Sequence, residues 1–269
     1  MISSRSHQIR FSVQAKLPEG ARAVGFKVGA KGAHSSRTLM ADDLTSVLAG
    51  TAASARRADY VAAITDANCL GKPTASTRRL SAQRLSELYG LDPDIPLFRV
   101  FRRLWELDSK GRTLLALLLA IARDPLLAAT AAPILSLAPG AELQRDLARQ
   151  ALRLVAGERF NPNILDKVLR NAASSWTQSG HLEGRTFKKR RLVEPTVATA
   201  TYALYLSHVT GFRGPELFSS GWFAVLDCTP GRARELVLEA KRLGLIDLRI
   251  AGDVVDLKLD RLDPQLLRG

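Results

Sequence analysis

Residues 161–192, NPNILDKVLRNAASSWTQSGHLEGRTFKKRRL, carry the most specific structural pattern in this chain. Asn161 and Pro162 form a helix cap followed by a proline in the first helical turn, and apolar residues recur behind them at helical spacing. Gly180 then ends the helix, a short apolar element follows, and residues 185–191 make a basic hairpin tip. This order predicts a winged helix, in which a helix is followed by a strand and a protruding wing.

The tip of this hairpin is strongly basic, with five cations and no acid over residues 185–191. Cations on a protruding loop contact nucleic-acid phosphates, which contributes salt-sensitive affinity without sequence information. A solvated basic loop with no ligand is the alternative. The DNA-binding residues predicted here are Arg185, Lys188, Lys189, Arg190 and Arg191.

A second helix–hairpin unit is predicted over residues 229–260. Residues 245–250 and 254–259 each show part of a two-residue alternation, and a Gly-Asp turn separates them. The hairpin is acidic, and its carboxylates would repel phosphate. We therefore expect it to be structural or to dock protein. Its acids are Asp247, Asp253, Asp256 and Asp260.

Helical periodicity dominates residues 34–157, where glycine and proline breaks separate about six amphipathic segments in a bundle with short loops. Residues 1–33 are basic and glycine-containing, which predicts a flexible N-terminal arm. The predicted fold class is mainly α. A helical bundle is followed by a winged-helix-like C-terminal region, residues 158–269, with small β-hairpins.

Within the bundle, two helices over residues 55–66 and 74–89 resemble a helix-turn-helix, because a short glycine-containing connection joins them. The connection is longer than usual for this motif, and an ordinary helical hairpin with a basic face is the alternative. The second helix carries a second set of predicted DNA-binding residues, namely Arg78, Arg79 and Arg84. A further basic group is expected to be solvated: Arg99, Arg102 and Arg103.

The net charge favours a polyanionic partner. Lys and Arg number 39 against 26 acids, a formal charge of +13, and a charge of that size repels itself unless it meets an opposite field. Nucleic acid, an anionic membrane and an acidic protein are the candidate partners. A merely basic protein from a high-GC genome is the alternative.

Compartment signals are few. The longest apolar run, Leu114–Ala122, is shorter than the roughly 20 residues that span a bilayer, so it predicts a buried helix and no membrane partner. No apolar signal-peptide region precedes it in the N-terminal residues. Cys69 and Cys228 are isolated, which is typical of a reducing compartment. We therefore expect a cytoplasmic protein.

Catalytic patterns are weak. Pro93-Asp94 followed by Asp108-Ser109-Lys110 has the letters of a PD-(D/E)xK nuclease, but a helical segment separates the two parts. The four histidines lack metal-ligand spacing. We predict that the protein is not an enzyme, with no catalytic residue, no metal and no cofactor.

Three stretches, taken in order, resemble the BrxA-type proteins of bacterial BREX phage-exclusion systems. They are KPTASTRRLSAQRLSELYG (Lys72–Gly90), LLALLLAIARDPLLAAT (Leu114–Thr130) and NILDKVLRNAASSWTQSGHLEG (Asn163–Gly184). The resemblance covers roughly residues 36–210. It implies a helical, DNA-binding accessory protein of phage defence, and it carries over no catalytic residue.

The expected function is therefore non-catalytic binding of double-stranded DNA, together with other phage-defence proteins as possible partners. Two alternatives stay open. The protein could be an adaptor whose positive surface docks acidic partner proteins, or an RNA-binding helical protein. Single-strand recognition needs exposed aromatic side chains, whereas the aromatics here fall at predicted core positions.

Overall fold

The computed structural model describes residues 19–265. In this range it contains twelve α-helices and two small antiparallel hairpins, which confirms the predicted mainly helical class. The helices are α1 (Ala41–Ala49), α2 (Arg57–Thr65), α3 (Ala75–Tyr89), α4 (Pro96–Leu107), α5 (Arg112–Arg123), α6 (Pro125–Ala129), α7 (Ala131–Leu135), α8 (Arg145–Ala156), α9 (Pro162–Gln178), α10 (Val197–Val209), α11 (Gly221–Val225) and α12 (Pro230–Arg242). The strands are β1 (Leu182–Glu183), β2 (Lys189–Arg190), β3 (Asp247–Ala251) and β4 (Val254–Lys258).

Several helices begin where their capping residues predict. Thr74 accepts a hydrogen bond from the Thr77 N–H at 3.1 Å ahead of α3, and the Asn161 carboxamide accepts from the Ile164 N–H at 2.9 Å ahead of α9. Asp124 caps α6 in the same way. These oxygens satisfy N–H groups that have no partner inside the helix, so local sequence sets the helix starts.

The core is built around α5, which is buried on every side from Leu114 to Arg123. α3, α4, α6 and α10 pack against it, and α10 is buried in turn from Ala198 to Ser207. A helix without a polar face is stable only at the centre of a fold. The buried apolar residues form one cluster that extends from Ala21 to Leu262.

The predicted division between residues 157 and 158 does not coincide with a break in packing. α8, assigned from sequence to the bundle, packs against α9 as well as α6 and α7. Residues 140–143 also pair with β2. Amphipathic periodicity identifies the apolar side of α8, but it does not say which helix covers that side.

The predicted flexible arm is wrong over residues 20–33; residues 1–18 lie outside the described part of the chain. Phe26 is buried and its ring meets Trp222 edge-on, with centroids 5.9 Å apart. The Lys27 N–H donates to the carbonyl of Ala122 at the end of α5. A buried aromatic side chain and backbone hydrogen bonds thus anchor a segment whose composition is basic and glycine-rich.

The C-terminal unit agrees with its prediction, since α12 is followed by the β3–β4 hairpin. Of the basic group on α4, Arg103 is exposed as expected, but Arg99 and Arg102 are not. Arg99 makes a bidentate pair with Asp263, whose carboxylate is fully buried. Arg102 is buried and donates to the carbonyls of Leu48, in the last turn of α1, and Thr51, just after it. Arg103 donates to the carbonyl of Leu262. These arginines fasten the chain's end and the first helices to the bundle.

Candidate nucleic-acid interface

The β1–β2 hairpin is part of a three-strand arrangement. Leu182 pairs with Arg190 and Glu183 with Lys189. On the other side of β2, residues 140–143 form backbone hydrogen bonds, including that from the Arg190 N–H to the Ala141 carbonyl at 2.9 Å. The order is strand segment, α8, α9, β1, tip and β2, which is the order of elements in a winged-helix fold.

The outward side of α9 carries polar and basic residues along its whole length. It lies opposite the buried stripe that includes Leu165 and Leu169. Lys167 and Arg170 are exposed there, and neither forms an ion pair with a residue in the range 19–265. We call this surface the α9 face, and it consists of Asn163, Lys167, Arg170, Ser174 and Gln178.

Lys167 and Arg170 were not among the predicted DNA-binding residues, because the prediction rested on the basic hairpin tip and on the arginines of α3. The signal was nevertheless present. In a helix of 3.6 residues per turn, positions 163, 167, 170 and 174 share one side, and none of them is apolar. The helical periodicity that located the buried stripe therefore also locates the α9 face.

The wing, residues 182–190, projects beside the C-terminal turn of α9. Arg185 and Lys189 are exposed and have no ion-pair partner among residues 19–265. Lys188 is half-buried and donates to the Thr177 hydroxyl of α9 at 2.8 Å, and this burial lowers the pKa of its ammonium. Arg191 is exposed and pairs with Glu183 at 3.3 Å. Two of the five predicted cations are thus free for phosphate.

The prediction that Arg190 contacts DNA is wrong. Its side chain points inward, is about 2% exposed, and forms an ion pair with Asp227 behind the wing. Neighbouring strand residues point to opposite faces, so Lys189 faces solvent and Arg190 faces the core. A run of basic letters cannot show this alternation until the register is known.

His181 supports the base of the wing in a neutral form. Its Nε2–H donates to the Val225 carbonyl at 2.6 Å, which leaves Nδ1 to accept from the Ser179 hydroxyl at 2.8 Å. Its own carbonyl accepts from the Arg191 N–H. Burial lowers the pKa of His181 to about 3, and the nearby charge of Arg190 adds to this effect against the hydrogen bond to Val225.

This environment predicts a specific pH dependence of stability. Unfolding returns His181 to an ordinary pKa of 6.5, so between that pH and about 3 the unfolded chain binds one more proton than the folded chain. Stability should therefore fall as pH is lowered, by about 1.4 kcal/mol per pH unit from this group. Urea unfolding between roughly pH 6.5 and 4.5 measures the slope.

The matched variant is His181→Gln, which keeps hydrogen-bonding capacity without a titrating ring. We expect it to be less stable than wild type at neutral pH. Its free energy of unfolding should also fall less steeply with decreasing pH, by about 1.4 kcal/mol per pH unit, because residue 181 no longer titrates. An unchanged slope in His181→Gln would show that other groups cause the acid sensitivity.

The three arginines of α3 that were predicted to bind DNA have different environments in the structure. α2 and α3 pack together, but residues 66–74 separate them, which is longer than a helix-turn-helix turn. Arg84 pairs with Glu87 at 2.6 Å, Arg78 is half-buried, and Arg79 is exposed.

The near end of α3 does approach α9. Thr77 and Ser81 of α3 line a cavity of about 630 Å³. Gln178 of the α9 face and Arg37, from the segment before α1, line the same cavity. Because each helical residue turns the side chain by about 100°, Arg79 lies roughly 200° from Thr77, on another side of α3. The structure therefore does not place Arg79 on the surface that carries the wing.

The letters of the nuclease motif have a structural role. The Asp108 carboxylate accepts from the N–H groups of Lys110 and Gly111, both at 3.0 Å, and from the Thr196 hydroxyl. It thus holds the turn that precedes α5 and ties this turn to the start of α10. Within residues 19–265, no group of three or more His, Cys, Asp or Glu side chains is placed to hold a metal ion.

One buried cluster contains the residue types of a Ser-His-Asp hydrolase triad, with the histidine between the other two. His34 lies 2.8 Å from both the Asp124 carboxylate and the Ser175 hydroxyl. All three side chains are buried, and Ser175 also donates to the Asn171 carbonyl inside α9. A catalytic nucleophile must be accessible to its substrate, and Ser175 is not. The cluster instead attaches the segment that precedes α1 to helix α9.

No protein-family model matches the chain, and no curated protein matches it. No helix within residues 19–265 is long and apolar enough to cross a membrane. The fold defines the class, a mainly helical protein with two small antiparallel hairpins. The resemblance to BrxA-type proteins stays a prediction.

Proposed function

We propose that this protein binds double-stranded DNA without catalysing a reaction, using the α9 face and the wing together. The observation that supports this most directly is the coincidence of topology and charge. The helix that a winged-helix protein inserts into the major groove is here the helix with unpaired Lys167 and Arg170, and the adjoining wing exposes Arg185 and Lys189.

The two parts of the surface would have different roles. Lys167, Arg170 and the wing cations would contact phosphates and supply most of the affinity. Asn163, Ser174 and Gln178 have side chains of the types that hydrogen-bond to base edges in the major groove. Sequence preference, where present, would therefore come from α9 and not from the wing.

The biological context proposed is that of an accessory protein in a cytoplasmic phage-defence system. The order of the three stretches that resemble BrxA-type proteins supports this context. Both cysteines are free, which agrees with a reducing compartment. Loss of phage protection after deletion of the coding gene, with restoration by the intact gene only, would test it.

The decisive experiment is fluorescence anisotropy of a labelled 30-base-pair duplex at several salt concentrations between about 50 and 200 mM. Two double variants divide the surface, Lys167→Ala with Arg170→Ala and Arg185→Ala with Lys189→Ala. Each removes two phosphate contacts, so each should weaken binding and reduce the slope of log affinity against log salt by about 1.8.

The matched control is Lys241→Ala with Lys258→Ala. It removes the same charge from exposed positions outside the α9 face and the wing. If the control weakens binding as much as either test pair, only the net charge matters and the proposed interface is wrong. Tight binding retained in both test pairs would move the site to α3.

The adaptor alternative has one observation in its favour. On α8, Leu154 is 87% exposed and Leu147 lies two turns earlier on the same side, also exposed. Exposed apolar side chains in a row are typical of protein-docking surfaces. Failure to bind duplex at low salt, together with a partner lost on Leu154→Lys, would favour this function.

A further inference from the structure

A second basic surface lies apart from the α9 face, in a cavity of about 680 Å³. Its walls come from residues 22–35, the end of α3, the end of α5 and the loop before α9. Glu87 is the acid among its lining residues. The cations that line it are Arg22, Lys27, Lys31, Arg84, Arg123 and Arg159.

The charges of this cavity are only partly balanced by the surrounding protein, where Glu87 and Asp124 lie near Lys27. Glu87 is already paired with Arg84, and the other five cations have no ion-pair partner within residues 19–265. Burial, followed by repulsion from Arg123, lowers the pKa of Lys27. Like charges gathered in a concave site focus a positive field that an anion would relieve.

Backbone carbonyls hold several of these cations in place. Lys27 donates to the Glu87 carbonyl at 2.8 Å, Arg123 to the Gly25 carbonyl at 2.7 Å, and Arg159 to the Ala30 carbonyl at 2.9 Å. Neutral carbonyls orient the side chains without cancelling their charge, so the site is preorganised for a ligand.

Unused donors point to the same conclusion. The Nε–H groups of Arg84 and Arg123 are both buried and have no acceptor among the described residues. A buried donor without an acceptor is costly, and Arg123 is only 6% exposed. Guanidinium groups match phosphate oxygens in geometry and charge.

We propose that this cavity binds a phosphate chain, such as the triphosphate of a nucleotide or inorganic polyphosphate. Its volume falls in the range of small-molecule sites, about 300–1,000 Å³, and five unpaired cations suit a ligand with several negative charges. None of the α9-face residues lines it. The proposal therefore does not depend on the proposed DNA interface.

Isothermal titration calorimetry with inorganic tripolyphosphate tests the proposal. The informative variant is Arg22→Ala with Lys31→Ala, because both side chains are exposed and neither forms a hydrogen bond or ion pair within residues 19–265. The fold should therefore tolerate their loss. We expect wild-type binding at about 50 mM salt and at least tenfold weaker binding in this variant, with Lys241→Ala plus Lys258→Ala within about twofold of wild type.

Competition experiments against tripolyphosphate identify the source of the phosphate chain. The competitors are ATP, a duplex with 5′-phosphates and the same duplex without them. Selective competition by the phosphorylated duplex would assign the site to DNA ends, and competition by ATP alone to a free nucleotide. Lys167→Ala with Arg170→Ala should retain tripolyphosphate affinity whatever it does to duplex binding, so the two proposals can fail separately.

Two results would overturn the proposal. One is no measurable binding of tripolyphosphate up to about 10 mM. The other is an equal loss in the control variant, which would show a general response to protein charge. Circular dichroism and thermal midpoints of each variant exclude unfolding as the cause.

Discussion

Asp227→Asn should lower the free energy of unfolding by about 3–5 kcal/mol, because it leaves the Arg190 guanidinium charged and buried behind the wing. The Arg190 side chain is 1% exposed and Asp227 is its ion-pair partner. An uncompensated charge in this position has neither water nor a counter-ion, and an arginine does not escape by losing its proton.

The substitution is chosen so that little else changes. Asp227 has φ of 50°, a left-handed conformation that asparagine also adopts readily. Its second oxygen accepts from the Val193 N–H at 2.9 Å, which an asparagine oxygen can replace. Burial raises the pKa of Asp227 despite Arg190 and Val193, as expected when desolvation costs more than the pair returns.

Urea unfolding of Asp227→Asn against Glu183→Gln measures the effect. Glu183 pairs with Arg191 on the surface of the same hairpin, and an exposed pair is worth about 0–1 kcal/mol. A similar small loss in both variants would mean that solvent reaches Arg190. The double variant Arg190→Met with Asp227→Asn should recover part of the lost stability, since no buried charge remains.

Gly32→Ala should be the second severe change, with a loss of about 3 kcal/mol from overpacking and disrupted polar contacts. A Cβ at this position would overlap an Asp124 carboxylate oxygen. That carboxylate already accepts from the His34 N–H and ring at 2.9 and 2.8 Å. Either the backbone of residue 32 or the carboxylate must move, and the fastening of His34 to α9 would loosen.

The matched control is Gly231→Ala in the first turn of α12, where an added Cβ meets no atom within 4 Å. Alanine is the better helix former, so this variant should be neutral or slightly more stable. Thermal unfolding of both variants gives the comparison. Equal stability of Gly32→Ala and wild type would show that Asp124 can relax without loss.

Asp124 also sets an acid limit on stability. Burial opposes its ionisation, but the charge and hydrogen bonds of His34 outweigh burial and lower its pKa below the usual 3.8. A carboxyl with a lowered pKa adds stability above its ordinary pKa and loses that contribution as pH falls through the folded value. This loss begins below about pH 3.8, whereas the loss from His181 begins near pH 6.5. The part of a pH series above about pH 4 therefore reports His181 without Asp124.

Local chemistry made much of the fold predictable. Thr74, Asn161 with Pro162 and Asp124 with Pro125 mark helix starts because their oxygens satisfy N–H groups a few residues away. The β3–β4 hairpin follows from its alternation and its Gly252 turn. Such signals depend on neighbours in the chain, so one sequence contains all of the information they need.

The parts that sequence reasoning missed depend on distant residues. Arg190 looks like its basic neighbours until Asp227, 37 residues later, is placed beneath it. His34 meets Asp124 and Ser175, which lie 90 and 141 residues away. The six cations of the phosphate-chain cavity come from four separate parts of the chain. No periodicity links positions at such separations.

Caps, turns and apolar periodicity act within a few residues, so the helical class, most helix starts and the two hairpins could be predicted from the sequence, and composition alone gives the excess of positive charge. Which cations remain on the surface depends on the tertiary structure. Lys167 and Arg170 stay in solvent and Arg190 does not, because burial of a charge depends on which acid, carbonyl or helix the fold brings against it.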